Sequence, residues 1–306
     1  MRRLAPSVLL AAALLSACAG AMHPAPRAPS TVTLTYLGVA GWRITDGTHV
    51  VLVDPYYSRP RLDGPEGTPV ASDAAAVAAR APAHADLILV GHSHFDHALD
   101  VANVALRTGA QVLGSESTAR LARAGGVPAD HIIPVAGGED YAFDGFSVRV
   151  LPSLHSALDD KHTFAGHTLV PADVTLPMPT SGYVEGGTLA YVVRMGGREI
   201  FVLSTANFIE RELVGLHPDA AIVATGLREE IHDYSCRLVR ALGQPPLVLA
   251  NHFDAWREPW DPKGSSLAHL SAESRHDLDD FAREIHACAP AARVVVPEHD
   301  VAIAVP

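Results

Sequence analysis

Apolar residues recur along this chain in short continuous runs broken by turn-forming residues, a pattern of buried strands and brief helices. Residues 31–37, 42–45 and 50–54 read as strands, the last two joined across Asp46-Gly47, a pair suited to a hairpin turn. An alanine-rich stretch over 72–80 has helical spacing. The run Leu87-Ile88-Leu89-Val90-Gly91 reads as a buried strand. Helix and strand then alternate: a helix over 99–107, a strand at 111–113, a helix from a Ser115 cap to Arg123, the short run Ile132-Ile133 and a strand over 147–151. Between 156 and 187 proline, glycine and isolated histidines replace periodicity, which predicts a long loop over a site or an unpaired insertion. Order resumes with a second hairpin, 188–195 and 198–203, about Gly196-Gly197. Strands at 220–224, 247–250 and 294–296 and helices at 230–242 and 272–287 complete the pattern. Each half therefore opens on hairpin strands and continues as strand–helix alternation. Two mixed β-sheets packed face to face, with helices outside, would bury such strands.

The first thirty residues do not belong to that pattern. Met1-Arg2-Arg3 is a charged start, and residues 8–15 form an apolar segment too short to span a bilayer. The segment ends in Leu15-Ser16-Ala17-Cys18, which resembles a bacterial lipobox. Residues 1–18 are thus expected to be a lipoprotein signal with Cys18 as the lipidated residue, an ordinary secretory signal being the alternative. Ala19, rather than Asp, after the cysteine points by that resemblance to the outer membrane, with the domain exported and anchored at its periplasmic face. Residues 19–30, with three prolines, read as a flexible tether to a folded domain over 31–306. Cys236 and Cys288 remain, and either a disulfide or two buried thiols would suit an exported protein.

Composition narrows the partners. Hydrophobic residues make up 48% of the 306, enough for a substantial core. The balance of 23 basic against 34 acidic residues gives −11, which argues against nucleic acid as a target.

The chemistry concentrates in His92-Ser93-His94-Phe95-Asp96-His97, directly after the strand 87–91 and before a helix. Four of these six side chains can ligate a divalent metal. Imidazole and carboxylate suit zinc, one ion or two, with Mn2+ or Fe2+ as alternatives. His92 and His94, two apart in an extended turn, face the same way; Asp96 and His97 open the helix. Two adjacent ligand pairs therefore face two adjacent metal positions, and further ligands should come from other strand ends. His155, just past 147–151, and His252, just past 247–250, occupy that position.

The pattern resembles the metallo-β-lactamase-fold hydrolase superfamily, whose hallmark is His-x-His-x-Asp-His, over most of 31–306. Thr35-Tyr36-Leu37-Gly38-Val39-Ala40-Gly41-Trp42 and Val51-Leu52-Val53-Asp54-Pro55 resemble the opening hairpin of its ascorbate-phosphate-lactonase-like and N-acylphosphatidylethanolamine-phospholipase-D-like branches. The resemblance implies an α+β fold, a four-layer αβ/βα sandwich with metals at one edge. By motif it implies His92, His94 and His155 on a first metal and Asp96, His97 and His252 on a second. Two-metal members carry a bridging Asp within a Gly-Asp-Thr/Ser-like stretch; here the corresponding Ser204-Thr205-Ala206-Asn207 puts Thr205 at that position. Asn207 is a candidate additional ligand or substrate contact, and Asp254 a further source of a carboxylate.

The expected activity is hydrolysis by metal-activated water, with Asp96 as ligand or orienting group, on an ester, lactone or phosphodiester of a small molecule or lipid. The alternative is a non-catalytic, metal-stabilised binding lipoprotein that has lost the bridging carboxylate. His162 and His167 fall in the loop expected over the site, and Glu229, Glu230 and His232 near a strand end; solvated or helix-start roles suit all five.

Overall fold

Chain order generates two similar halves. In the first, β1 (Thr33–Gly38), β2 (Gly41–Thr45) and β3 (Val50–Val53) form an antiparallel meander. The short β4 (Pro69–Val70) and α1 (Ala74–Arg80) precede β5 (Leu87–Leu89), which runs parallel to β3. α2 (Phe95–Ala98), α3 (Val101–Thr108), β6 (Gln111–Gly114), α4 (Glu116–Ala124) and β7 (Ile132–Pro134) follow. The second half opens on β8 (Asp140–Ala142) and β9 (Phe146–Pro152), then β10 (Met178–Pro179), β11 (Leu189–Met195) and β12 (Arg198–Leu203). Alternation returns with β13 (Ala220–Ala224), α5 (Tyr234–Ala241), β14 (Leu247–Asn251), α6 (Ala272–Cys288), β15 (Arg293–Val295) and β16 (Ala302–Ala304). This computed structural model describes residues 31–158, 169–254, 257 and 270–306. The lipobox, Cys18 and the tether, like His162 and His167, lie outside the described residues.

One sheet has the order β16-β1-β2-β3-β5-β6-β7 and the other β15-β14-β13-β12-β11-β9-β8, while β4 and β10 pair separately. Each is antiparallel on its hairpin side and parallel on its strand–helix side. Both faces of the central strands are covered, which is why they read as continuous apolar runs rather than as alternation. Val51, Val53, Leu87 and Leu89 point into the core between the sheets, against Val148, Val150, Ile200 and Val202. Leu52, Ile88 and Val112 point the other way, onto α1, α3 and α4. Phe201, Leu203 and Val248 meet α5 and α6. The result is the α+β four-layer sandwich expected from the sequence.

Two buried polar links fix how the sheets meet. Trp42 Nε1 donates to Asn251 Oδ1 at 2.9 Å, and Tyr191 OH to the Val90 carbonyl at 2.6 Å. Both lie at the strand ends that carry the candidate site, so sheet packing and site geometry are set together. Among the described residues no helix is long and apolar enough to cross a membrane.

Local chemistry explains most boundaries. Asp73 caps α1 by accepting from the amides of Ala75 and Ala76, Ser115 caps α4, and Ser271 caps α6. The helix expected over 230–242 is shorter: a 3-10 turn at Arg228–Glu230 precedes Asp233, whose left-handed φ of 46° delays α5 to Tyr234. The edge strands β8 and β16 are three residues each, too short for the hydrophobic pattern to mark.

Cys236 of α5 and Cys288, the last residue of α6, form a disulfide with Cα atoms 5.4 Å apart. The bond closes a sequence separation of 52 residues, for which chain-entropy arguments give about 4 kcal/mol of stabilisation.

Candidate metal centre

The hexad leaves β5 at Gly91, where space is scarce. A Cβ at this glycine would lie 2.6 Å from Ser204 Oγ and 3.1 Å from Asp54 Oδ2, so only glycine lets β5 and β12 converge here. Ser93 is then pinned from outside: its N–H donates to the Glu185 carbonyl at 3.0 Å and its hydroxyl to the Val184 carbonyl at 2.5 Å. With Ser93 turned out, His92 and His94 turn in, and His92 Nε2 lies 3.0 Å from His94 Nδ1. His155 joins them, its ring centroid 4.7 Å from that of His92 and 4.9 Å from that of His94. His155 Nδ1 donates to the Ser156 carbonyl at 2.9 Å, which leaves the lone pair on Nε2.

Asp96, His97 and His252 form a second set beside the first, the His92 and His97 centroids being 3.8 Å apart. Asp96 Oδ2 lies 3.2 Å from His252 Nε2 and 3.6 Å from His97 Nε2. Within each set, three donor atoms lie within 4.8 Å of one another. All six sequence-predicted ligands are thus brought together.

The donor chemistry fits a divalent cation. Burial holds His92 well below the usual histidine range, and takes His94 down to about 4 and His155 to about 3. All three rings are neutral at pH 7 with lone pairs available. His92 Nδ1 is buried without a hydrogen bond. In the second set burial would lower His97, but Asp96 and Asp54 outweigh it and raise the ring above its ordinary value. Burial would likewise raise Asp96, yet His97, His252 and His94 hold its carboxyl well below the usual carboxylate range.

Asp54 joins the candidate site, although the sequence shows it only as part of the opening hairpin. Its Oδ2 accepts from His97 Nδ1 at 2.9 Å and its Oδ1 from the Gly91 amide at 2.7 Å, so one carboxylate orients a ligand and fixes the start of the hexad. Its place at the end of an apolar strand, the same place that marked His155 and His252, was the available signal. Asp54→Asn is expected to weaken metal binding about 10–100-fold, measured by competition with a chromophoric chelator.

His252 sits in a left-handed backbone conformation, φ 54°, and its N–H donates to the Val39 carbonyl at 2.8 Å. Val39, Asp54 and Arg59 share positive φ values of 55°, 39° and 39°, so strain concentrates around the site. Asp254 holds this region together and is not placed as a ligand. Its Oδ1 accepts from the Val39 amide at 2.7 Å, and its Oδ2 meets Arg59 Nη2 at 2.8 Å and His299 Nε2 at 2.9 Å.

Thr205 lies two residues past β12 and lines the cavity, but its Oγ1 accepts from the Ser156 amide at 3.0 Å and donates to Ser156 Oγ at 3.1 Å. Asn207, the candidate extra ligand or contact, directs its amide to backbone instead: Nδ2 donates to the His155 carbonyl at 3.0 Å, and Oδ1 accepts from Phe208 N–H at 2.9 Å. Both side chains position the His155 loop.

The six donors form the floor of a cavity of about 1030 Å³. Tyr183, Val184 and Glu185, from the stretch expected to lie over the site, supply one wall, and Glu229, Leu227 and the first turns of α6 another. Arg228, buried beneath α6, pairs with Asp277 at 2.6 Å and Glu284 at 3.1 Å and anchors that wall.

Comparison with known proteins agrees with this geometry. The family model described as "Beta-lactamase superfamily domain" matches residues 33–212. A UPF0173 metal-dependent hydrolase of Agrobacterium fabrum is 31% identical over 187 residues, 60% of this chain and 71% of the relative. Another, of Methanoregula boonei, is 28% identical over 229 residues, 74% of this chain and 83% of the relative. Among solved structures, Igni18, a metallo hydrolase from Ignicoccus hospitalis, superposes with a TM-score of 0.56 at 18% identity, covering 90% of this chain and 98% of that one. CmlA, a diiron β-hydroxylase from Streptomyces venezuelae, gives 0.58 at 17%, covering 90% and 54%. At such identities these structures show the fold alone. Fold and relatives together define a metal-dependent hydrolase with the metallo-β-lactamase fold. Within that class the chain belongs to the UPF0173 metal-dependent hydrolase family.

Proposed function

We propose that this protein hydrolyses an ester, lactone or phosphodiester bond of a small molecule or lipid, using Zn2+ held by His92, His94, His155, Asp96, His97 and His252. The observation that carries this reading is the convergence of six ligand-type donors on the floor of one large cavity. A bound divalent ion supplies Lewis acidity and an activated water there. The protein's own contribution is position and charge. Asp96, whose carboxyl titrates far below neutral pH, is too weak a base to take protons at pH 7, so its role is to bind and orient. His97 is held by Asp54 and His155 by Ser156, which fixes two of the rings before substrate arrives, while the Val39 carbonyl fixes the main chain of His252. Tyr183, Val184 and Leu227 give the cavity an apolar side suited to a lipid or aryl group.

The test is turnover by protein of known metal content on a panel of nitrophenyl esters, lactones and bis-nitrophenyl phosphate. Activity should appear with one bond class, vanish on chelation and return with added Zn2+. Metal-loaded protein inert across the panel would overturn the reading. Lipidation of Cys18 would hold the domain at the periplasmic face of an outer membrane. Cys18→Ser is then expected to move the protein from the membrane fraction to the soluble one, while unchanged fractionation would exclude the anchor.

A further inference from the structure

We infer that Tyr183 contacts the substrate: its hydroxyl donates a hydrogen bond to the oxygen of the reacting group that faces away from the six ligand side chains. This role rests on reading the cavity as the place of hydrolysis, and it adds an uncharged donor to the wall above the histidines. It suits a substrate whose carboxyl or phosphoryl group is joined to an apolar part.

Local bonds set Tyr183 beside the hexad. The 3-10 turn Thr180–Gly182 ends on Tyr183, whose N–H donates to the Thr180 carbonyl at 3.1 Å. The next two carbonyls, of Val184 and Glu185, accept from Ser93, the residue between His92 and His94. Gly186 permits this close approach. Its φ is 69°, and a Cβ there would lie 2.4 Å from Ser117 Cβ and 2.5 Å from Ser93 Oγ. The phenol ring belongs to a buried cluster with Phe95, the residue between His94 and Asp96. Ring and main chain are thus both fixed, and Tyr183 lines the same cavity as all six donors.

The hydroxyl is the polar tip of that ring. Tyr183 is 4% exposed, and its Oη has no hydrogen-bond partner among the described residues. Tyr56, in the same cluster, has a hydroxyl that is also unpaired but sealed from solvent, whereas that of Tyr183 opens to the cavity. Other hydroxyls on the wall are engaged: Thr205 with Ser156, Thr225 with the Asn251 carbonyl at 3.3 Å, and Ser274 with Ser271 at 3.0 Å. Thr180 and Ser181, on the turn before Tyr183, are more exposed, and water satisfies them. A ligand that displaces water from Tyr183 must bring an acceptor, or the hydroxyl is left buried and unpaired. Burial, with Asp100 as a lesser cause, pushes the phenol up to about 12, so it keeps its proton at neutral pH and donates. A carboxyl or phosphoryl group offers one oxygen to the floor and a second to this donor.

The test is calorimetric titration of Zn2+-loaded full-length protein with phenylphosphonate and with phenylacetate, beside kcat and KM on the best substrate of the panel. Tyr183→Phe keeps the ring. It should weaken the tighter of the two ligands about 10–100-fold and lower kcat/KM by a similar factor, with metal content and Tm unchanged. Tyr56→Phe removes the sealed hydroxyl from the same cluster and should change neither. Unaltered binding in Tyr183→Phe, equal losses in the two variants, or binding of neither ligand by the unmodified protein would overturn the inference. Loss of metal or a lower Tm in Tyr183→Phe would also overturn it, by assigning the hydroxyl a structural role. Failure of the hydrolase reading shows separately, as Tyr183-dependent binding in metal-loaded protein that is inert across the panel.

Discussion

Asp96→Ala is expected to abolish hydrolysis, by at least about 10²-fold, and to cost the protein bound metal. The residue is the only carboxylate among the six converging donors, and its negative charge is what holds a cation beside His97 and His252. Removing it leaves His97 backed by Asp54 alone and His252 without its partner. The side chain lies in the four-residue α2, whose backbone bonds do not involve it, so the fold should persist. Metal content by elemental analysis and turnover on the substrate panel, read beside an unchanged far-UV spectrum, check the expectation. A variant that retains both metal and activity would refute the placement of the reactive centre at this set.

Asp254→Ala should produce the largest loss of stability, about 3–5 kcal/mol, seen as a fall in Tm of roughly 10 °C. Burial alone would raise the Asp254 carboxyl, but His299 and Arg59 hold it well below the usual carboxylate range. The carboxylate therefore stays charged in an apolar surround, and its loss leaves the Arg59 guanidinium buried at 5% exposure facing no negative charge from this residue. The amide of Val39 loses its acceptor in the same step, and Val39 is the residue whose carbonyl holds His252 in its left-handed conformation. Metal affinity should accordingly fall with stability. Asp254→Asn, which keeps an acceptor for Val39 but not the charge, should lie between. Equal melting of all three proteins would show that the cluster carries no such role.

The pairing of a stable cluster with a strained one has a physical logic. Four non-glycine residues around the centre, Val39, Asp54, Arg59 and His252, adopt positive φ. Such conformations persist only where neighbouring bonds over-determine them. Asp54 and Asp254 do this on the two sides of the site, one through Gly91 and His97, the other through Val39 and Arg59.

The sequence by itself marked the candidate ligands and determined the architecture. The hexad, His155 and His252 are legible because a metal site at strand ends leaves its histidines just past apolar runs, which is a local pattern. The two-half sandwich is legible because hairpins and strand–helix alternation are also local, and because strands covered on both faces show as unbroken apolar segments. What only the tertiary structure decided are relations across long stretches of chain. Asp54 meets His97 over 43 positions, Asp254 meets Arg59 over 195, and Cys236 meets Cys288 over 52. No periodicity encodes such pairings, since each side chain alone is compatible with a solvated surface. They become definite only when packing removes water and leaves each charge with a few partners within reach. The same holds for Thr205 and Asn207. Their position just past β12 was readable, but that their polar atoms turn toward the His155 loop was decided by the folded backbone around them.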